Sequence, residues 1–216
     1  MRFVIGCALT VFCMFTTGYA SADLVTTHIS SDAELVEFLS DTMFVCEGRI
    51  GDLGGAQTFE LDLGHETGNP AQTADYAWQS GVVEPFSLTY DGGTGLVTFS
   101  LGGVTLYYTT PYFDFEVVFV RTRAVDDGTS MVVTDLVLDG ESVNDSSIAV
   151  GPNGLDILLI VGGELNDGFT VTGSATLSWT GSPPTHSRLA FQVKVAKLAQ
   201  IGIEAGSWSA VKKAFH

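Results

Sequence analysis

The chain has 216 residues, with 25 aspartates and glutamates against 9 lysines and arginines and a formal charge of −16 at pH 7. So acidic a surface repels phosphate backbones and anionic lipid, which argues against nucleic acid and membrane surfaces as partners. Of the three cysteines only Cys46 lies beyond residue 13, so no disulfide framework is expected within the exported chain.

The N-terminus reads as a secretory leader. Arg2 supplies the positive charge, Phe3 to Phe15 the apolar run, and Ala20-Ser21-Ala22 the small residues before a cleavage expected ahead of Asp23. The apolar run is shorter than the ~20 residues a bilayer core demands. Residues 1–22 are therefore expected to be removed, leaving a secreted chain with no transmembrane segment, placed outside the cell or at its surface. The remainder divides into a β domain over 23–198 and a tail over 199–216.

Ser31-Asp32-Ala33-Glu34 has the spacing of a capping box, which predicts a short helix. Leu35, Phe38 and Leu39 share its apolar face, expected to cover an open end or edge of a sheet. Cys46 follows Met43-Phe44-Val45 and reads as a small buried hydrophobe rather than a reactive thiol.

From there the hydrophobic period is two. Thr58–Leu63 and Phe86–Tyr90 alternate, and Leu96–Leu101 and Val104–Thr109 flank the hairpin signal Gly102-Gly103. Phe86 to Thr109 thus reads as a meander. Phe113, Phe115, Val117 and Phe119 are expected on one face of the next strand, with Asp114 and Glu116 on the other. Asp126-Asp127-Gly128 turns the chain into Met131–Leu138, and Asp139-Gly140 ends that strand. Ile157–Val161 is a continuous apolar run, the pattern of a strand covered on both faces. Phe169 to Thr180 alternates apolar residues with threonines and serines, and Leu189 to Val195 alternates again after the break at Pro183-Pro184. About nine or ten strands, Gly- and Asp-rich turns and one short helix predict an all-β fold, an antiparallel β-sandwich, with a barrel as the alternative. In the tail, Ser207 is placed to cap a short helix carrying Trp208, Val211 and Phe215.

Several stretches resemble the choice-of-anchor families of exported bacterial β domains, most closely the W type. They are FSLTYDGGTGLVTFSLGG (Phe86–Gly103), VVTDLVLDGESV (Val132–Val143), GFTVTGSATLSW (Gly168–Trp179) and SRLAFQVKV (Ser187–Val195). The resemblance covers roughly residues 44–196. It implies an exported, non-enzymatic surface domain and supplies no catalytic residues. Members commonly end in a sorting signal, such as Pro-Glu-Pro before an apolar segment and basic residues. Residues 199–216 show no such pattern.

Three chemistries have candidate residues. Glu60-Leu61-Asp62, with Glu66 after Leu63-Gly64-His65, is similar to the Glu-x-Asp-x-x-Glu motif of laminarinase-type retaining glycosidases, one residue longer. That motif aims paired carboxylates into one cleft as nucleophile and acid. Calcium would take loop oxygens, for which Asp126, Asp127, Asp145, Glu164 and Asp167 are the candidates. Trp78 and Tyr107-Tyr108 with Tyr112 are candidates for a sugar-stacking platform. No G-x-S-x-G elbow or close His/Cys pair is present. The favoured reading is a non-catalytic structural or adhesive domain with extracellular polysaccharide or surface components as partners and no cofactor. A carbohydrate-binding module comes second and a glycoside hydrolase third.

Overall fold

A computed structural model describes residues 24–51, 59–66 and 69–199. The leader (1–22) and the expected helix at Ser207 lie outside the described residues. The elements in chain order are β1 (Val25–Ile29), α1 (Asp32–Phe38), β2 (Leu39–Arg49), β3 (Leu61–Glu66), β4 (Asn69–Ala74), β5 (Val83–Asp91), β6 (Leu96–Leu101), β7 (Val104–Thr109), β8 (Val117–Ala124), β9 (Thr129–Leu138), β10 (Glu141–Ser142), β11 (Ser147–Val150), β12 (Gly154–Val161), β13 (Gly168–Trp179) and β14 (Leu189–Leu198).

The strands form two antiparallel sheets, the expected sandwich. Sheet A runs β1-β12-β8-β14-β2-β3-β4, and sheet B runs β10-β9-β13-β5-β6-β7 with β11 also on β9. The meander β5–β6–β7 turns at Gly102-Gly103, both at positive φ (56° and 84°), as a tight two-residue hairpin requires.

The core lies between the sheets. At one end Phe44, Tyr90, Phe115 and Phe169 pack edge-to-face and stacked, with Phe115 4.8 Å from Tyr90 and 5.4 Å from Phe44 between centroids. At the other end Phe86 meets Phe191 at 5.3 Å. Gly48 seats that second pair, since a Cβ there would lie 2.3 Å from the Phe191 ring. Cys46 is fully buried in this core, as expected, and burial pushes its thiol pKa up, which removes it from thiolate chemistry.

The helix departs from expectation in where it sits. Ser31 does cap it, its hydroxyl accepting from the Glu34 N–H at 3.1 Å. But α1 covers a sheet face, not an end or edge. β1 and β2 are separated by three strands in sheet A, and α1 crosses the outer face to join them. Leu35 packs there in a second cluster with Ile29, Val117, Phe119, Ile157 and Leu159. A seven-residue helix is marginal alone. Burial of Leu35, worth about 1.5–3 kcal/mol, holds it down. Leu39 begins β2, and Phe38's side chain lies outside the described residues.

The predicted strand from Phe113 also differs. Regular pairing starts at Val117, Phe113 is 76% exposed, and Phe115 is buried in the main core. Asp114 takes φ 79°, which breaks the alternation, so Val117 and Phe119 emerge on the outer face beneath α1. Ile157–Val161 behaves as expected. Leu158 and Ile160 face the main core, and Ile157 and Leu159 face the helix. The strands missed in the sequence are β1, most of β2, and the short β4, β10 and β11.

Candidate functional site

The outer face of sheet A gathers the chain's scarce positive charge. Four of the six lysines and arginines among the described residues, Arg49, Arg121, Arg123 and Lys194, project from it. Strand register places Arg121, Gln192, Glu47 and Asp62 side by side on β8, β14, β2 and β3. Arg123, Ala190 and Arg49 form the adjacent row on one side, and Phe119, Lys194 and Val45 the row on the other.

Part of this face is sealed. Glu47 is 2% exposed, Asp62 0% and Arg49 3%. Like charges directly opposed on neighbouring strands repel, and burial penalises both ionised forms. The Glu47 and Asp62 carboxyls are accordingly both pushed up, first by burial; the neighbouring Glu47 charge raises Asp62 further, and Arg49 opposes the rise at both. Gln192 Nε2 donates to Glu47 Oε2 at 3.1 Å. Arg49 Nε donates to the Phe59 carbonyl at 3.2 Å and Nη1 to Ser187 Oγ at 3.0 Å, with the guanidinium 4.1 Å from the Phe59 ring centroid. Both Asp62 oxygens, Gln192 Oε1 and Arg49 Nη2 are buried without a hydrogen-bond partner. Unmet buried polar atoms cost about 1–3 kcal/mol each, so this row is where the fold gives up stability.

Part of the face is open. A groove of roughly 570 Å³ runs between α1 and the sheet, lined by Leu35, Val36, Arg121, Arg123, Gln192 and Lys194 among others. Asp32 on α1 takes a bidentate pair from Arg121, Nε to Oδ1 at 2.8 Å and Nη2 to Oδ2 at 2.7 Å. That pair holds the Asp32 carboxyl below its ordinary range, the Arg121 hydrogen bonds being the largest cause. Arg123 lines the groove, and its charge helps to hold the Asp32 carboxyl down. The Lys194 ammonium lies 5.8 Å from the Phe119 ring centroid, and burial, then the Arg121 charge, depress its pKa.

No family model matches the chain. No curated protein matches it either.

The other sequence candidates fall in separate places. Glu60 and Asp62 share the outer face of sheet A through the strand alternation, but Glu60 Oε2 accepts from the Tyr76 N–H at 3.1 Å and Asp62 is closed to solvent. The side chain of Glu66 lies outside the described residues, beyond an irregularity in pairing at Gly64. His65, between these carboxylates in sequence, instead contacts the Met43 carbonyl at 3.2 Å and stacks on Tyr112 at 4.8 Å.

The calcium candidates do not converge. Asp126 pairs with Arg188 at 2.5 Å, and Asp127 Oδ1 accepts from the Gly128 N–H. Glu164 and Asp167 are exposed in the β12–β13 loop, at the opposite end of the β8–β12 ladder. Their neighbour Asn166 ties that loop to the core, accepting from the Phe115 N–H at 2.6 Å. Among the described residues no three His, Cys, Asp or Glu side chains form a metal-holding group.

Asp145 belongs to a clamp on β1 instead. His28, on this strand, bonds Asp156 through Nδ1 at 2.8 Å and Asp145 through Nε2 at 3.2 Å, while Thr26 donates to Asp145 Oδ2. The two carboxylates outweigh burial and raise the His28 pKa.

The aromatic candidates are dispersed as well. Trp78 packs edge-on against Tyr76, and its indole N–H donates to the Arg49 carbonyl at 2.9 Å. Tyr107 is half exposed on the outer face of sheet B, Tyr108 packs against the core, and Tyr112 sits against His65.

The alternation from Leu189 to Val195 puts Gln192 and Lys194 on one face of their strand but does not join them to Glu47, Arg121 or Arg123. The signal was available in Glu47-Gly48-Arg49 and Arg121-Thr122-Arg123, where alternate charges interrupt apolar runs. Among the described residues no helix is long and apolar enough to cross a membrane.

Proposed function

We propose that the chain is an exported, non-enzymatic domain that acts at or beyond the cell surface as an adhesive module, with surface glycans as its partners. The observation that carries this reading is the division of the sheet A outer face. Its open part is a groove with cationic and amide groups, suited to holding a ligand. Of the carboxylates hydrolysis would need, Asp62 is closed to solvent and Glu60 is tied to the Tyr76 N–H. The leader pattern and the resemblance to choice-of-anchor domains point the same way.

The test is retention of the secreted chain on a panel of insoluble polysaccharides and whole-cell surface polymers, with product release assayed in parallel. Retention without turnover is expected. Turnover of a β-glucan that disappears in Glu60→Gln would replace this reading with a hydrolase, and no retention on any polymer would remove it.

A further inference from the structure

We propose that the groove between α1 and sheet A is a binding site for a sugar acid, a pyranose carrying one carboxylate. The inference deepens the adhesive reading above and rests on it for the biological setting. Three features of the groove select this chemistry.

The first is charge. Arg123 and Lys194 line the groove on either side of the Arg121–Gln192 row, and the charges of both act on the Asp32 carboxyl. Arg121 is already engaged by Asp32, so it frames the site rather than offering a free charge. With the Asp32 carboxylate held by Arg121, Arg123 and Lys194 leave the groove an excess of positive charge that suits one further carboxylate. The Arg123 guanidinium also presents the planar fork that a carboxylate fills with two parallel bonds.

The second is an acceptor with nothing to accept. Gln192 is 5% exposed and lines the groove, and its Oε1 has no hydrogen-bond partner. Its Nε2 donates to Glu47 Oε2, which leaves the oxygen open to a donor from the groove. A simple anion such as phosphate monoanion or acetate offers few or no donors for this atom. A sugar hydroxyl is both donor and acceptor.

The third is an apolar shelf. Leu35 and Val36 form the helix side of the groove, and Val36 is 73% exposed. The C–H face of a pyranose fits such a surface, which a small inorganic anion leaves wet.

The net charge of −16 sets a limit on the ligand. At physiological salt the field of distant carboxylates decays over about 8 Å, so the nearby cations govern a single charge in the groove. A polyanion extending past the groove would meet the acidic surface. The ligand is therefore a chain end or an isolated acidic residue in an otherwise neutral glycan, not a polyuronate.

Titration calorimetry on the secreted chain would compare methyl β-glucuronide, methyl β-glucoside and acetate. The glucuronide should bind at least about tenfold more tightly than either of the others, the margin of one charge-assisted hydrogen bond. Arg123→Gln and Lys194→Met should each remove about that factor for the glucuronide. The thermal midpoint measured alongside separates a loss of binding from a loss of fold. Equal binding of glucuronide and glucoside, or full affinity in both variants, would overturn the site. Retention on polymers that survives both variants would overturn the sugar-acid inference and leave the adhesive reading standing. Glucuronide binding without retention on any polymer would do the reverse.

Discussion

The two sheets expose outer faces built on the same two-residue alternation and filled with opposite chemistry. On sheet B the outward positions are hydroxyls: Thr170, Thr89 and Thr98 run side by side, as do Thr172, Ser87 and Ser100. Neighbours satisfy one another, with Thr89 and Thr170 oxygens 3.3 Å apart and Ser100 and Thr105 oxygens 3.1 Å apart. On sheet A the corresponding positions are Arg121, Gln192, Glu47 and Asp62, several of them sealed and short of partners. A hydroxyl face loses little by meeting water and asks nothing of a ligand. A face of buried charges costs stability unless something is gained by it, and the gain proposed here is the groove beside it.

That comparison can be broken by mutation. The largest effect is expected at Arg49, the buried cation in the row next to Glu47 and Asp62. Arg49→Ala leaves Glu47 and Asp62 without their main opposing charge and should cost about 3–5 kcal/mol in denaturant unfolding. A cost below about 1 kcal/mol would mean that the row is better solvated than its burial implies.

A middle effect, of opposite sign, belongs to Asp62. Burial and the Glu47 charge hold its pKa at about 8 in the folded chain, against an ordinary 3.8. The folded state thus binds more protons between those values, and stability falls as pH rises through that window. Asp62→Asn should flatten this slope and raise stability at pH near 8 by about 1–3 kcal/mol. Unfolding midpoints measured across the window check the sign, and a variant less stable than the parent at the alkaline end would refute it. The smallest effect is expected on sheet B, where Thr172→Ala should stay within about 0.5 kcal/mol at any pH.

Much of the fold could be read in the sequence, because sheet B obeys the local rule along most of its length, with one shift in β9 at Asp135 (φ 54°). Phe169, Val171, Ala175 and Leu177 go in, Thr170, Thr172, Ser174 and Thr176 go out, and Gly102-Gly103 turns the meander. Sheet A was less legible for definite reasons. Asp114 at positive φ shifts the alternation, so Phe115 and Val117 serve different cores. β1 reaches its neighbour β12 from 128 residues away, a pairing that no local pattern announces. The site was hidden by the same cause. Glu47, Arg121 and Gln192 are adjacent only after β2, β8 and β14 assemble, and each alone looks like a solvent-facing strand residue.

The central claim is that the cationic groove on sheet A, and not the hydroxyl face of sheet B, is where this domain meets its ligand. Backbone amide shifts followed during titration with methyl β-glucuronide test it most directly. The account predicts changes gathered at Leu35, Arg121, Arg123, Gln192 and Lys194. Changes gathered instead at Thr98, Tyr107 and Thr172, or no change anywhere, would contradict it.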